Sequence, residues 1–538
     1  MFLSEFQFAS QKLATMSLNC LHENLLLYWI EVVFLFLITC YVYRKLKIAY
    51  LCYRLGASKP VWLRNPGIIN SRRALLIFRL KKNGELLEYL WKIWNSSYEN
   101  MRVLIAYKEL VVTTDPENIK ALLATQFNDF ALGFRHAHFS PMLGDGIFTL
   151  DNDGWKQSRA LLRPNFSREK ISHLHSLETH LQRLFKHFRK FEGHPFDLQN
   201  LFFKFTVDTS TEFLFGHSAN SLSDESIGEY PEEQFDGQRD FFDAFNRSQE
   251  ICSSRAWMQQ YYMLSNLFFF SEFRKCNKIV HNFANYYVDS ALNMSNEELE
   301  KQSADGYIFL YELAKQTRNR KVLKDQALNI MIAGRDTTAG LLSFTFYELA
   351  KHPEIWARLK EEVYEKFGNG ENPRLENITF EALKKCNLLK NIISEVLRMY
   401  PSVPINFRQA NKHTTLPRGG GEDGNKPLFV EQGQVVAYII IATHRNEKYY
   451  GKDADVFRPD RWNDRNLKPG WAYLPFNGGP RVCLGQQFAI TEASYVITRI
   501  CQEYPNLYDH DREPETYPPR MVSQLTNSLA AGCWVSLS

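Results

Sequence analysis

One short stretch near the C-terminal end constrains this chain more than any other, because it places a single cysteine in a glycine-rich loop. Residues 476–485 have the sequence FNGGPRVCLG, and a helix-like run begins at Gln486. A cysteine just before a helix N-terminus lies near the positive end of the helix dipole and near unpaired backbone N–H groups, which favour a thiolate. A thiolate at this position can be a nucleophile, a redox centre or a metal ligand.

The neighbours of Cys483 narrow these choices. No second cysteine lies two to four residues away, which argues against a zinc site or an iron–sulfur cluster. Gly479 and Gly485 would allow a flat ligand to approach the backbone closely. Arg481 carries a fork of N–H donors that suits a carboxylate. Together with Phe476, these residues predict the proximal face of a haem with Cys483 as the iron ligand; the alternative is that Cys483 is a small buried residue like most free cysteines.

The spacing of these five residues resembles the haem-binding loop of the cytochrome P-450 superfamily of haem-thiolate monooxygenases. The resemblance covers nearly everything after residue 69. It implies a mainly α fold with small β-sheets (α+β), haem b (iron protoporphyrin IX) as the cofactor, and insertion of one atom of O2 into a small apolar substrate. Because the chain has no flavin or nicotinamide fingerprint, the resemblance also implies that NADPH supplies electrons indirectly, through NADPH–cytochrome P-450 reductase.

A long apolar helix is predicted over residues 325–351, and its centre departs from good helix composition. Glycine, aspartate and threonine in the run AGRDTT at 333–338 are poor choices for a helix interior, and such a conflict often marks function. The alternative is a threonine bonded to a carbonyl one turn earlier; both interpretations can hold together. The run is similar to the oxygen-activating motif of the family, which implies that Asp336 and Thr337 deliver protons during oxygen activation.

Three more side chains are candidates for haem contacts. Trp155 and Arg159 are four residues apart on one predicted helical face, a spacing that is weak evidence alone but is similar to the W-x-x-x-R helix of the family. The resemblance implies that this pair holds a haem propionate and that Arg408, in a predicted strand region, is a second propionate ligand. Residues 131–150 lack a helical period and are predicted to form a loop, which in the family lines the substrate cavity.

A buried charge network is implied behind the haem. Glu395 and Arg398 are three residues apart in a predicted helix and can pair, although this spacing is common by chance. The segment FRPDRW at 457–462 stands between this pair and Cys483. The order is similar to the Glu-Arg-Arg network of the family, which implies that Arg461 is the third member.

Residues 25–43, with the sequence LLLYWIEVVFLFLITCYVY, are about long enough for one bilayer crossing. Glu31 interrupts the run at a cost of roughly 3 kcal/mol at a span centre, whereas each Leu, Ile, Phe or Val returns about 0.3–0.6 kcal/mol. Basic residues follow the run and only Lys12 precedes it, so the positive-inside rule places the bulk of the chain in the cytosol. A cleaved signal peptide is disfavoured by the polar residues before the run and by the lack of a small-residue cleavage site after it.

These features predict four segments. They are a lumenal tail (1–24), a transmembrane anchor (25–43), a basic, proline-containing linker (44–69) and the catalytic domain (70–538). With the resemblance, they predict a single-pass protein of the endoplasmic reticulum membrane whose catalytic domain faces the cytosol and contacts membrane lipid.

Two local patterns predict secondary structure near the start of the catalytic domain. Short β-branched runs at 102–106 and 110–114 indicate a hairpin. Asp115, followed by Pro116 and Glu117, indicates a capped helix N-terminus.

Composition narrows the class of protein further. A net charge of +4 over 538 residues is too near balance to indicate nucleic acid as a partner. The nine cysteines are scattered without pairs, which is typical of reduced thiols facing the cytosol rather than of a disulfide framework.

The substrate is the weakest part of the prediction. The strings PFNGGPRVCLGQQFAITEA, AGRDTTAGLLSFTFYELAKHPE and LPRGGGEDG resemble the fungal alkane-inducible family, which hydroxylates the ends of n-alkanes and fatty acids. Three alternatives stay open: the same fold acting on a fungal secondary metabolite, a haem-thiolate isomerase or dehydratase that needs no O2, and a membrane haem carrier or sensor without turnover.

Overall fold

Helices dominate the chain, and four small sheets lie at the edges of the helical body. The computed structural model describes residues 2–63, 71–95, 99–105, 108–166, 175–191, 193–230, 233–235, 237–303 and 306–538. The helices of this part of the chain are α1 (Phe2–Arg54), α2 (Ser71–Asn83), α3 (Leu86–Asn95), α4 (Pro116–Lys120), α5 (Arg135–Leu143), α6 (Asn152–Leu162), α7 (His175–Phe191), α8 (Leu198–Phe215), α9 (Phe241–Met258), α10 (Asn266–Asn293), α11 (Asn296–Ser303), α12 (Phe309–Gln316), α13 (Arg320–Lys351), α14 (Pro353–Phe367), α15 (Phe380–Lys384), α16 (Asn387–Met399), α17 (Ile440–His444), α18 (Glu447–Tyr450) and α19 (Gln486–Glu503).

The largest sheet has five strands in the order β1-β2-β8-β5-β3, in which only β2 and β8 are parallel. The other sheets are β4-β12-β9, β6-β7 and β10-β11. The strands are β1 (Asn100–Ile105), β2 (Lys108–Thr113), β3 (Phe130–Ala131), β4 (Phe196–Asp197), β5 (Ile405–Ala410), β6 (Thr414–Gly420), β7 (Lys426–Val430), β8 (Val435–Ile439), β9 (Leu507–Asp509), β10 (Met521–Ser523), β11 (Asn527–Leu529) and β12 (Trp534–Leu537).

The predicted hairpin and the helix that follows it are confirmed. Strands β1 and β2 pair antiparallel, with Met101 opposite Val112. The carboxylate of Asp115 then accepts hydrogen bonds from the backbone N–H groups of Glu117 (2.8 Å) and Asn118 (3.1 Å), as a capping residue should. Proline occupies the first helical position, where its missing N–H costs nothing.

The prediction of a loop over residues 131–150 is wrong for its central part, because Arg135–Leu143 form α5. The helix contains Pro141 and has little hydrophobic periodicity of its own. It is stabilised by tertiary contacts instead. His138 is fully buried, and Arg255 on α9 donates hydrogen bonds to the carbonyls of Ala137 (2.9 Å) and His138 (3.1 Å). Packing has therefore decided a secondary structure that local sequence did not indicate.

Helix α13 is the central element of the body. It begins at Arg320, five residues before the predicted start, where the side chain of Asn319 accepts hydrogen bonds from two N–H groups of the first turn. It packs against α8, α10, α16 and α19, so that nearly all of its side chains are buried. An all-round apolar helix requires such an enclosed position.

Helix α1 carries the predicted anchor, and it continues unbroken on both sides of residues 25–43. Its side chains from Tyr28 to Tyr43 are largely exposed apolar groups. Among the residues that the structure describes, no helix combines the length and the mean hydropathy of a membrane span. The base of α1 is joined to the body, because Glu431 pairs with Arg44 (2.9 Å) and with Lys59 (2.5 Å). Positions 64–69 of the predicted linker lie outside the described residues.

Candidate active site

The cysteine loop is a tight turn that leads directly into α19. Asn477 (φ 63°) and Gly479 (φ 67°) adopt left-handed backbone conformations, and the N–H of Cys483 donates to the carbonyl of Phe476 (3.0 Å), which closes the loop. Helix α19 begins three residues after the cysteine, at Gln486. The predicted position of Cys483, just before a helix N-terminus, is therefore the observed one.

The glycines of the loop, Gly478, Gly479 and Gly485, have different surroundings. A Cβ at Gly479 would lie 1.9 Å from the carbonyl oxygen of Leu123, so the close approach at this position is made by the chain itself. At Gly485 the nearest atom to such a Cβ would be a ring carbon of Phe166 at 3.7 Å, which is ordinary contact. Gly479 is therefore required by the packing of the protein, as is Gly478, where a Cβ would lie 2.6 Å from the ring of Trp471, whereas Gly485 is not.

Cys483 faces an internal cavity. Its side chain is largely accessible to a small probe, although protein atoms surround it on nearly all sides. Burial raises the pKa of the thiol, and neither the N–H of Gly485 nor the charge of Arg159 reverses this effect. The helix terminus therefore does not by itself lower the pKa of this thiol below its usual value, which differs from the thiolate expected from the sequence.

Helix α13 has one accessible face. Between Asp325 and Ala350 every side chain is buried except for a group that repeats at helical spacing. This accessible face consists of Ile330, Ala333, Gly334 and Thr337.

Thr337 and Asp336 are adjacent in sequence but point in different directions. The hydroxyl of Thr337 lies on the accessible face and donates to the carbonyl of Ala333 (2.6 Å), as in the structural alternative considered above. Asp336 is buried, 3% exposed, and is held by the side-chain amide of Gln249 on α9 and by Arg335 (3.4 Å). The structure therefore brings only Thr337 to the cavity directly.

Positive charge collects at one edge of the cavity. Arg135, Arg159 and Arg408 all lie close enough to Arg481 to lower its pKa, and with burial they bring it to about 9. Arg481 donates to the carboxylate of Asp151 (2.7 Å) and to the carbonyl of Leu150 (3.0 Å).

The predicted propionate contacts meet in this cluster. The buried ring of Trp155 lies 4.4 Å from the guanidinium of Arg481 and 5.9 Å from that of Arg159. Arg159 also donates to the carbonyl of Val482 in the cysteine loop (3.0 Å). Arg408 donates to its neighbouring backbone carbonyl, that of Phe407 (2.8 Å).

Comparison with known proteins agrees with this geometry. The sequence profile of the family described as Cytochrome P450 matches residues 72–531. The chain is 53% identical to cytochrome P450 52A13 of Debaryomyces hansenii, over 95% of this chain and 97% of that protein. This chain belongs to the cytochrome P450 family. It is also 51% identical to cytochrome P450 52A3-B of Candida maltosa (94% of this chain, 97% of the relative) and 58% identical to cytochrome P450 52A8 of Candida tropicalis (78% and 80%).

The chain is therefore a P450 monooxygenase with the mainly helical P450 fold, and its cofactor is haem b, reduced through a reductase partner. The residues present fit this group. A thiol opens into an enclosed cavity, a mostly apolar helix face forms another wall, and the cationic edge suits two propionates. In this P450, Cys483 would bind the iron, and Arg159, Arg408 and Arg481 with Trp155 would hold the propionates.

Behind the cysteine loop of the P450, Glu395, Arg398 and Arg461 form one buried network. Arg398 pairs with Glu395 through two hydrogen bonds (2.8 and 2.9 Å), and Nε of Arg461 donates to the same carboxylate (2.7 Å). Burial alone would raise the pKa of Glu395, but the hydrogen bonds and charges of the two arginines lower it overall. The indole N–H of Trp462 (3.0 Å) and the backbone N–H of Arg458 (3.0 Å) also donate to this carboxylate.

Three polar residues near the site were missed from the sequence: Arg135, Gln249 and Glu492. Because residues 131–150 were predicted to form a loop, and a charged residue in a loop is normally solvated, Arg135 was not recognised as a site residue. Gln249 and Glu492 stand in ordinary helical segments, and their sequence neighbours carry no signal for a site. Only burial singles them out.

Proposed function

We propose that this P450 hydroxylates the terminal carbon of n-alkanes or fatty acids. The observation that carries the proposal is the accessible face of α13, where three positions without polar side chains accompany a single hydroxyl. A saturated chain offers no hydrogen bonds, so a cavity that accepts it needs dispersion contacts and exclusion of water. Ala333, one turn before Thr337, keeps this face small, and Gly334 lies close to Ser210, whose hydroxyl would be 3.3 Å from a Cβ at that position. The resemblance of three sequence strings to the alkane-inducible family supports the same substrate class.

Each site residue then has a defined task. Haem, when bound, supplies the activation of O2 and the oxidation of the C–H bond. Cys483 holds the iron through its sulfur atom. Asp336, in its protonated form, passes a proton to Oγ1 of Thr337 as that hydroxyl gives its own proton into the cavity, and Asp336 then regains a proton from water. To donate into the cavity, Thr337 must turn away from the carbonyl of Ala333.

We also infer that the N-terminal segments attach the enzyme to the endoplasmic reticulum membrane. In this proposal residues 1–24 are lumenal, 25–43 cross the bilayer, 44–69 form the linker, and the domain from residue 70 to residue 538 faces the cytosol. The exposed apolar side chains of α1 from Tyr28 to Tyr43 support the anchor, because water is a poor solvent for so continuous a surface.

A second apolar surface supports contact of the body with lipid. Leu75 and Phe78 on α2 are exposed, and so are Leu267 and Phe268 at the start of α10. The side chain of Lys81 on α2 lies 3.3 Å from the hydroxyl of Ser253 and over the ring of Trp257 on α9, the helix that precedes α10 in the chain. We propose that this surface rests on the membrane and receives substrate dissolved there. Removal of residues 1–54 should then weaken binding to vesicles without abolishing it, whereas complete release would contradict the role of the second surface.

The reductase partner is proposed to bind on the cysteine side. Lys156 and Arg163, on and just after α6, are exposed there, and Arg159 of the same helix contacts the cysteine loop. Positive side chains at this face suit an acidic protein surface. Charge reversal at Lys156 should slow reduction by the reductase and weaken its salt dependence, with no effect on reduction by dithionite.

The deciding experiment for the substrate is a spectral titration. Ferric enzyme in microsomes is titrated with n-alkanes and fatty acids of increasing chain length, and the shift of the haem spectrum to high spin is recorded. We expect saturable shifts with an optimum chain length, followed by NADPH-dependent formation of the terminal alcohol. No shift with any chain length, or products without dependence on NADPH, would contradict the proposal and favour the secondary-metabolite or isomerase alternative respectively.

A further inference from the structure

The ammonium group of Lys81 is enclosed by protein without a carboxylate partner. Lys81 stands in the last turn of α2, and its Nζ lies 3.3 Å from the hydroxyl of Ser253 and 5.2 Å from the ring centre of Trp257, both on α9. Burial lowers the pKa of this amine to about 8, and no carboxylate in the described part of the chain counters that effect. A desolvated cation without an anion is costly, so this position favours the approach of an anionic group.

The partners of Lys81 belong to one stripe of side chains along α9. Gln249, Ser253 and Trp257 follow one another at intervals of four residues and therefore lie on the same face of the helix. At the inner end of the stripe, the amide of Gln249 donates to the carboxylate of Asp336 on α13. At the outer end, Lys81 covers the ring of Trp257. Ser253 stands only about 6 Å along the helix axis from Gln249, so the stripe leads from Lys81 towards the active site.

The surface next to Lys81 is apolar. Phe78, one turn earlier on α2, is exposed, and so are Leu267 and Phe268 at the start of α10. Lys82, which follows in sequence, is exposed to solvent, whereas Lys81 contacts the buried Ser253. Lys81 thus borders a surface suited to lipid and also contacts the interior of α9. This combination suits an amphiphile, whose ionised end needs a cation and whose chain needs apolar contacts.

We propose that Lys81 binds the carboxylate of a fatty-acid substrate and so leaves the methyl end of the chain to approach Thr337. The inference rests on the function proposed above and names the residue that distinguishes its two substrate classes. An ammonium–carboxylate pair supplies the counter-charge that Lys81 lacks. With the carboxylate held at the outer end of the α9 stripe, the chain extends inwards and its terminal carbon reaches the site first. An n-alkane has no such group and gains nothing from Lys81.

Three variants separate recognition of charge from packing. Lys81→Met keeps the length and the apolar contacts of the side chain but removes the charge, and Lys81→Arg keeps the charge. Lys82→Met removes the exposed neighbouring charge and is the matched control. The full-length ferric enzyme in phosphatidylcholine vesicles is titrated with hexadecanoic acid, with its methyl ester and with n-hexadecane. The high-spin shift gives a dissociation constant for each ligand.

The acid alone should respond to the loss of charge. We expect Lys81→Met to raise the dissociation constant for hexadecanoic acid about tenfold and to leave the constants for the ester and the alkane unchanged. Lys81→Arg should restore most of the affinity for the acid, and Lys82→Met should match wild type. The share of terminal alcohol among the products of the acid should fall in Lys81→Met, because the carboxylate end is no longer held.

Three results would overturn the inference. An equal loss for acid, ester and alkane would show that Lys81 serves the packing of α2 on α9. An unchanged constant for the acid would place its carboxylate elsewhere. An effect of Lys81→Met confined to vesicles with anionic phosphatidylserine, seen as weaker vesicle binding, would assign the cation to a lipid headgroup. If wild type showed no shift with any of the three ligands, the proposed function would fail together with this inference, whereas a wild-type shift that Lys81→Met does not alter would remove this inference alone.

Discussion

The side-chain amide of Gln249 on α9 donates a hydrogen bond to the carboxylate of Asp336 on α13. Arg335 lies on the other carboxylate oxygen at 3.4 Å, and its own Nη2 donates to Asn246 on α9. The acid proposed to deliver protons is thus held from the side of α9, whereas Thr337 faces the cavity. A shift of α9 relative to α13 would change the position of the acid without moving the threonine.

Gln249→Leu tests this relationship. Loss of the amide donor should leave Asp336 free to reorient, so the share of NADPH that ends in product should fall about threefold while hydrogen peroxide rises. Ser254→Ala is the control, because Ser254 stands on the same helix and its hydroxyl donates to the carbonyl of Glu250 (3.1 Å). Product per NADPH is measured with a saturating fatty acid. Equal losses in the two variants would show that the effect comes from packing of α9 alone.

Thr337→Ala should keep haem and fold but waste reducing equivalents as peroxide, because the only hydroxyl on the accessible face of α13 is lost. Thr337→Ser retains the hydroxyl and should restore most of the coupling. Peroxide and product are quantified per NADPH consumed. Unchanged coupling in the alanine variant would contradict the role given to Thr337.

Cys483→Ala should abolish the red-shifted Soret band of the ferrous–CO complex, because the sulfur ligand to iron is removed. Cys276→Ala, a substitution of a partly exposed cysteine on α10, should leave the band intact. Difference spectra of the reduced protein decide the matter. Survival of the band without the Cys483 sulfur would mean that another residue binds the iron.

Glu395→Gln should destabilise the enzyme by about 3–5 kcal/mol, because it leaves the buried guanidinium of Arg398 without its carboxylate partner and leaves Arg461 with the more distant carboxylate of Asp453 (3.4 Å). Glu361→Gln on the exposed surface of α14 is the control. The denaturant midpoint of the Soret absorbance reports the loss. A midpoint within the error of wild type would show that the network contributes little to stability.

Glu492 predicts a pH dependence of stability. Burial raises the pKa of this carboxyl from 4.5 to about 7, against a hydrogen bond from Thr209 (2.8 Å) and the charge of His180. Thr338 of α13 also faces it. A raised pKa means that the folded state binds the proton more tightly than the unfolded state, so stability falls as pH rises from about 4.5 to about 7 and is level above that.

Glu492→Gln should remove this fall, since the amide mimics the protonated acid. Between pH 5 and pH 8 the thermal midpoint of wild type should fall further than that of the variant. The difference corresponds to a loss of up to ~3 kcal/mol in the free energy of unfolding. Glu503→Gln, at the end of the same helix and partly exposed, serves as the control. If the thermal midpoint of wild type changed between pH 5 and pH 8 by the same amount as that of the variant, the assignment would be refuted.

Local patterns account for what could be predicted. Asp115 caps α4, and the loop around Cys483 leads into α19, because each structure depends on residues adjacent in sequence. The composition of α13 likewise indicated an enclosed helix. Its start at Arg320 was missed because the asparagine cap, Asn319, six residues before the predicted start, carries no apolar signal.

The prediction of a loop over residues 131–150 was wrong because the helix in this segment depends on contacts that are distant in sequence. Helix α5 exists because Arg255, more than a hundred residues away, donates to its carbonyls. No periodicity in the segment itself could reveal that contact. With the helix missed, Arg135 could not be recognised as a cavity residue.

Sequence by itself determined the class of this protein, since the cysteine loop, the AGRDTT helix and the order of the motifs are patterns of near neighbours. Only the tertiary structure decided which charges meet at the cavity edge and which acid is held by which amide. Gln249 and Asp336 are 87 residues apart, and Arg135 and Asn406 are 271 apart. Such pairs form when packing of the whole chain removes water from both partners, and burial then makes their hydrogen bonds obligatory.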